Sequence, residues 1–193
     1  MAMEFELKFQ ATQDQMEAVA AAFPGTEQVI RMQTTYFDTP SRSLSRRHIT
    51  CRTRLENDVA VCTVKTPAQN GARGEWETEE ADIGQALETL CRMGCPRQVQ
   101  ELAAEGLEPI CGARFTRRAR IIEFPGGTAE LALDRGILLG GGKQAPLAEI
   151  ELELKSGQIG DLVVFGSWFA SKFGLIPQKK SKFRRALDLA TGV

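Results

Sequence analysis

Glu4, Glu6 and Lys8 alternate with Phe5 and Leu7 in the opening stretch EFELK. Side chains two residues apart point the same way from a β-strand. A strand here would therefore gather two carboxylates and an ammonium on one face and apolar groups on the other. The same alternation recurs along the chain. It collects Arg52 and Arg54 in ITCRTRLE, Lys65 in VAVCTVKTP, and Glu75, Glu77 and Glu79 in GEWETEE. It collects Arg118 and Arg120 in FTRRARIIEF, with Phe115, Arg117 and Ala119 read onto the opposite face. Glu130 and Asp134 align in TAELALDRG, and Glu149, Glu151 and Glu153 align in AEIELELK.

Any one of these strands could present its charges to water, with cross-strand ion pairs contributing a few tenths of a kcal/mol each. The set is harder to read that way, because successive strands carry nearly pure acid or nearly pure Arg/Lys pairs rather than a mixture with Thr, Ser and Gln. Arg forks bind phosphate oxygens in pairs, and Lys acts as a point charge. Magnesium takes a few carboxylates together with phosphate oxygens and water. Charges turned into a dry interior are too costly, so the face they share must be wet or filled by a ligand. Together the strands point to an internal site for a polyanion and a divalent metal.

The elements that must position these groups can be read from the same chain. Thr12 to Phe23 predicts a helix with Thr12 as N-cap and Pro24-Gly25 as its stop. An extended stretch follows to Pro40, and Asn57-Asp58 predicts a two-residue hairpin turn between the next two strands. Pro67 to Gly74 reads as a loop. Residues 83 to 107 turn helical with a break at Gly94 to Pro96, and three strands follow, separated by Gly126-Gly127 and Gly140 to Gly142. A helical pattern from about 156 to 173 and the segment KKSKFRRALDLA end the chain. Strands in hairpin order with helices inserted predict one antiparallel sheet, curled or closed into a barrel.

Length and composition fit this. A chain of 193 residues suits one domain, and a net charge of −1 gives no general nucleic-acid or membrane signal. No apolar run is long enough for a membrane span. Five scattered cysteines and a charged first strand without an export signal predict reduced thiols in the cytoplasm. Cys91 and Cys95, four apart, are read as core or helix-surface thiols rather than a zinc pair, since His48 is the only histidine. Tyr36 and Phe37 are expected to pack a strand end, and Trp76, Trp168 and Phe169 to be core. Arg46-Arg47 is expected in a solvated turn.

The chain resembles the CYTH domain, the triphosphate tunnel metalloenzyme family. EFELK matches that family's ExExK signature. TTYFDTP, the RTR strand, TVKTP, GEWETE, TRRARI, ELALDRG, EIELELKSG and KSKFRRAL resemble its successive motifs in its order. The resemblance implies an α+β fold, an eight-stranded antiparallel β-barrel forming a tunnel with flanking helices, over 1–193 as a single domain. It implies that Glu4, Glu6, Glu149 and Glu151 hold Mg²⁺ or Mn²⁺. It further implies that Lys8, Arg52, Arg54, Lys65, Arg118, Arg120 and Lys182 contact phosphate, with Lys180 the alternative to Lys182. Lys8, with Glu4 and Glu6, would serve catalysis by helping the attacking water. Glu75, Glu77, Glu130 and Asp134 would line the tunnel without an assigned role.

Such relatives span several reactions on one tunnel. The expectation here is hydrolysis of a small triphosphate, tripolyphosphate first, with nucleoside and thiamine triphosphates in the same class. Cyclisation of ATP to cyclic AMP and pyrophosphate is the alternative, and it needs an adenine pocket for which no base-reading cluster stands out. A non-catalytic polyphosphate or nucleotide-binding module is a third reading, and the carboxylates Glu4 and Glu6 speak against it. No membrane and no specific nucleic acid are expected as partners, and pairing with a second copy is left open.

Overall fold

The computed structural model describes residues 2–3, 5–69 and 72–192, with the backbone alone for residues 2, 3, 68, 69, 72 and 73. Glu4, read as a metal ligand, lies outside the described residues.

Ten strands form one antiparallel sheet: β1 (Ala2–Met3), β2 (Glu6–Gln10), β3 (Gln28–Asp38), β4 (Thr50–Glu56), β5 (Val59–Gln69), β6 (Ala72–Glu79), β7 (Glu108–Phe124), β8 (Gly127–Gly140), β9 (Lys143–Gly157) and β10 (Ile176–Pro177). Their order is β1-β6-β5-β4-β3-β7-β8-β9-β2-β10. The expected eight strands are the eight long ones; the two-residue β1 and β10 raise the count, and the ladder is open rather than a closed ring. The N-terminal segment spans the opening, because β1 pairs with β6 and β2 pairs with β9. Glu6 is three positions on from Met3 in the chain, a reach of at most about 11 Å. Side chains from β2, β3, β4, β5, β7 and β9 line one pocket, so the sheet wraps around its inner face.

Five helices flank the sheet: α1 (Gln13–Ala22), α2 (Ile83–Arg92), α3 (Arg97–Ala103), α4 (Ile159–Phe173) and α5 (Lys182–Thr191). Thr12 caps α1 as expected, in a capping box with Gln15. Asn57 has φ 53° in the hairpin turn between β4 and β5, and Gly141 and Gly142, at φ 57° and 74°, close the β8–β9 hairpin. Positive φ at both central turn residues matches the twist of the flanking strands, and glycine adopts it without a Cβ clash. The segment from Pro67, read as loop, is instead strand out to Gln69, with the register broken between Thr66 and Gln69. Proline has no N–H to give a ladder, so it sits where the pairing slips.

The inner and outer faces carry different cores. Outside, α1 and α4 lie on β2, β7, β8 and β9 around Phe9, Leu131, Leu133, Ile150, Leu152 and Phe169. Gly166 lets α4 come close, for a Cβ there would fall 2.2 Å from Leu7 Cδ1. Helices α2 and α3 cover β4 and β5 through Leu87, Leu90, Cys51 and Val64, with Trp76 packed against them as expected. Inside, Met32, Phe115, Leu138 and Leu147 meet Ala186 of α5. One end of the wrapped sheet is therefore apolar and stoppered by α5, and the charged groups occupy the rest.

Candidate active site

Inward parity predicted from the sequence holds on β2, β4, β5, β6, β8 and β9. Glu6, Lys8, Arg52, Arg54, Lys65 and Glu151 all line one pocket of about 90 Å³, joined by Glu153, Thr50 and Lys182. Glu75 and Glu77 face the same way and are engaged by Lys65 (3.1 Å) and the Thr63 hydroxyl (3.0 Å). Glu130 reaches Arg117 and Lys155 at 3.8 Å. Lys180 lies outside the pocket wall, paired with Asp188 at 2.7 Å.

β7 corrects the sequence reading. Arg118 and Arg120 point to the outer face, where Glu27 accepts from both. Arg120 also donates to the carbonyls of Ala20 and Phe23, the unsatisfied end of α1. The inward arginine is Arg117, opposite Asp134 in the β7–β8 register. Arginine stands on both faces of this strand, so alternation alone does not decide its orientation. The deciding groups, Glu27 outside and Asp134 inside, come from other elements. Tyr36 packs as expected, buried with its ring 5.0 Å from Phe183 of α5, and it also lines the pocket.

A buried ion network runs from the pocket wall, where Arg117, Glu151 and Lys182 line it, into the protein behind. Lys182 Nζ sits 2.8 Å from Asp134 Oδ2, 2.5 Å from Glu149 Oε1 and 2.7 Å from Glu151 Oε1. Arg117 grips Asp134 with two hydrogen bonds, at 2.8 and 2.7 Å, and also pairs with Glu151. Arg185 donates to Glu149 Oε2 at 2.7 Å. Burial opposes the charge on Lys182, but Glu151, Asp134 and Glu149 outweigh it and raise its pKa. Burial opposes ionisation of Glu151 as well, yet Lys182 and Arg117 hold it well below the carboxylate range. Glu149 is pushed up to about 7, first by burial and, against the pull of Lys182, by the neighbouring charge of Glu151.

Oxygens of Asp134, Glu149 and Glu151 lie within 4.8 Å of one another, a donor set of the hard kind that suits a divalent cation. The Lys182 ammonium already stands among them, so an ion entering there must displace it. A second set faces the pocket: Glu6 and Glu153 are directly opposite across β2 and β9, and Glu151 lies two pairs further on, facing Lys8. Here too each carboxylate already pairs with a lysine that an entering ion would displace, Lys8 on Glu6, Lys155 on Glu153 and Lys182 on Glu151. Like charges opposed on a sheet are unfavourable unless a cation lies between them. The residues present thus fit a divalent metal, with Glu6, Glu151 and Glu153 facing the pocket and Glu149 behind it.

The opposite wall is basic. Arg54 donates to the Thr34 hydroxyl at 3.3 Å, and its pKa is lowered by burial and then by the neighbouring Arg52. Arg52 Nε is buried with no hydrogen-bond partner among the described residues. A buried donor without a partner costs about 1–3 kcal/mol, more when charged, and an arriving anion would remove that cost.

The remaining sequence candidates stay structural. Cys51 and Cys95 are pushed up to about 12 and Cys62 to about 11, chiefly by burial, which makes them poor nucleophiles and ligands. His48 ends the turn after Arg46 and Arg47 in a left-handed conformation, φ 57°.

A family model for the CYTH domain matches residues 2–187. The chain belongs to the CYTH domain family. The inorganic triphosphatase of Haemophilus influenzae is 30% identical to this CYTH protein over 133 residues, 68% of this chain but 38% of that protein. The chain thus corresponds to well under two thirds of that relative's length. Among solved structures, a putative adenylyl cyclase from Hippeastrum with a dominant triphosphatase activity superposes with a TM-score of 0.68, at 19% identity, covering 100% of this chain and 96% of that one. The PH1819 protein of Pyrococcus horikoshii gives 0.63 at 22% identity, covering 96% and 99%. A putative adenylate cyclase from Bacillus halodurans gives 0.63 at 18%, covering 95% and 96%. At these identities the likeness is one of fold. No helix among the described residues is long and apolar enough to cross a membrane.

Proposed function

We propose that this CYTH domain, over residues 1–193, hydrolyses a small triphosphate, inorganic tripolyphosphate first, with Mg²⁺ or Mn²⁺. The observation that carries the reading is the polarity of the pocket. Carboxylates Glu6, Glu151 and Glu153 occupy the β2–β9 wall, and Arg52, Arg54 and Lys65 occupy β4 and β5. The triphosphatase relative supports the same reaction class.

A divalent ion held by Glu6, Glu151 and Glu153, with Glu4 adjoining in sequence, would neutralise phosphate charge and lower the pKa of a bound water. The chain's own groups do the rest. Arg52 and Arg54 clamp non-bridging oxygens, which satisfies the unpartnered Arg52 Nε. Arg117, fixed by Asp134, and Lys65, held by Glu75, set the ends of the phosphate chain. Lys8, oriented by Glu6 at 2.8 Å, donates to the phosphoryl group under attack. Water adds to the terminal phosphorus, the bond to the bridging oxygen breaks, and phosphate and diphosphate leave with the water's proton released to solvent. Positioning and fixed charge supply the acceleration.

A cavity of about 90 Å³ suits a compact chain of oxyanions better than a nucleotide. Pockets for drug-sized ligands run to about 300–1,000 Å³. The Tyr36–Phe183 pair is the one aromatic platform at this pocket among the described residues, and it keeps ATP cyclisation as the second reading. The free cysteines favour a reducing compartment, the cytoplasm.

The test is phosphate release from tripolyphosphate, ATP and thiamine triphosphate side by side, with Mg²⁺, Mn²⁺ or EDTA, and with cyclic AMP assayed in the ATP reaction. Metal-dependent turnover of tripolyphosphate with slow ATP turnover is expected. Cyclic AMP formation would replace this reading with the cyclase, and tight binding without turnover would make the pocket a receptor.

A further inference from the structure

Helix α4 reads like a helix buried on all sides, yet half of it faces out of the fold. Its inner side, Leu162, Phe165, Gly166 and Phe169, is buried against the sheet as the sequence pattern requires. Trp168, expected in the core, is instead 48% exposed, with Val164 at 72%, Val163 at 43% and Ile159 at 44%. A helix apolar all round calls for a second covering surface. Beside this face lies a mostly apolar cavity of about 430 Å³ lined by Pro125, Val164, Phe165 and Trp168, with the Asp161 carboxylate at its edge. Gly160 opens the same face further, since a Cβ there would meet nothing within 4 Å.

From this arrangement we infer that α4 is the contact helix of a reversible homodimer, packed antiparallel on α4 of a second copy about a two-fold axis. The charge pattern selects a second copy as occupant. Asp161 in the first turn and Lys172 in the last, whose ammonium lies 4.8 Å over the Trp168 ring, are exposed and lie eleven positions apart, three helical turns along one side. With the axis between residues 166 and 167, each stands about 8 Å from it, at 1.5 Å per residue. Asp161 therefore meets Lys172 of the partner subunit, and its own Lys172 meets Asp161 of the partner subunit. A parallel arrangement would oppose like charges instead. The same axis puts Trp168 of the partner subunit level with Val164 and Phe165, over the apolar cavity, so knob and hole are supplied by one surface. That self-complementarity is what an isologous contact requires.

The contact is small. A fifteen-residue helix is about 22 Å long. Its face covers less than the about 800 Å² per partner of a standard stable interface. Association is therefore concentration-dependent. It also lies on the outer face, away from the pocket, so it does not rest on the proposed reaction.

Sedimentation velocity from about 1 to about 200 μM, a range that brackets micromolar affinity, tests the inference on the 193-residue chain. The wild type is expected to move from its 21.2 kDa monomer toward twice that mass. Val164→Glu is expected to weaken association by about tenfold or more, with the circular dichroism of the fold unchanged. Asp161→Lys weakens it too, by placing two ammonium groups together, and the charge exchange D161K/K172D restores it. A wild type that stays monomeric throughout, or a V164E variant that associates as tightly as wild type, would overturn the dimer. A charge exchange no better than D161K alone would overturn the antiparallel register.

Discussion

Lys182 Nζ, at the start of α5, lies 2.5 Å from Glu149 Oε1 in the middle of β9, with both groups buried. This contact, shared with Asp134 and Glu151, ties the stoppering helix to the strand that supplies the pocket's carboxylates. Methionine at 182 would fill similar space but leave three buried carboxylates facing one another with Arg117 and Arg185 alone. Breaking a buried pair on one side costs about 3–5 kcal/mol. Lys182→Met should lower the stability read from urea unfolding by that order. A change below about 1 kcal/mol would show that the network behaves like a surface one.

Arg117 and Arg118 are neighbours in sequence and belong to different faces of the sheet. Arg117→Met should reduce kcat/KM for tripolyphosphate by about 100-fold or more, as removal of a preorganised donor to developing charge does. Arg118→Met, on the outer face with Glu17 and Glu27, should leave it within about twofold, since exposed ion pairs contribute about 0–1 kcal/mol. The reverse ranking in steady-state kinetics would place the wrong arginine in the pocket.

Glu6 combines two tasks, facing Glu153 across the ladder and orienting Lys8. Glu6→Gln keeps the shape and removes the charge. It should abolish metal-dependent turnover while the protein still binds tripolyphosphate in EDTA, through Arg52 and Arg54. Calorimetric titration with and without Mg²⁺ separates these outcomes. Full metal-dependent turnover in a folded E6Q protein would remove Glu6 from the site.

Glu27 ties the outer face together on the acid side of neutrality. Its pKa is lowered from 4.5, first by the hydrogen bond from Arg118 and then, against burial, by Arg120 and the charges of both. The folded state therefore binds this proton more weakly than the unfolded chain does. The stability it contributes is complete above about pH 4.5 and is lost as pH falls through the lower folded value. Glu27→Gln should flatten that part of the stability–pH curve between about pH 5 and 3. An unchanged acid limb would mean the Arg118–Glu27–Arg120 contacts carry no linkage.

Legibility from the sequence followed the range of the forces involved. Alternation in EFELK, CRTRLE and EIELELK is local, and on strands with one charged face and one apolar face only one orientation buries the apolar side. The hairpin at Asn57-Asp58 and the cap at Thr12 were equally local, because turn and cap chemistry act within four residues. On β7 both faces carry arginine, so the choice fell to partners on other elements: Glu27 beside α1 drew Arg118 and Arg120 outward, and Asp134 of β8 drew Arg117 inward. Tyr36 joined the pocket because α5 folds back to place Phe183 against it, and Trp168 reached the surface because α4 has more apolar side chains than one sheet face can cover. What the sequence by itself determined was which residues share a strand face. What only the tertiary structure decided was which face closes on the pocket, since that depends on contacts between groups on different elements, 17 residues apart for Arg117 and Asp134 and 91 for Arg118 and Glu27.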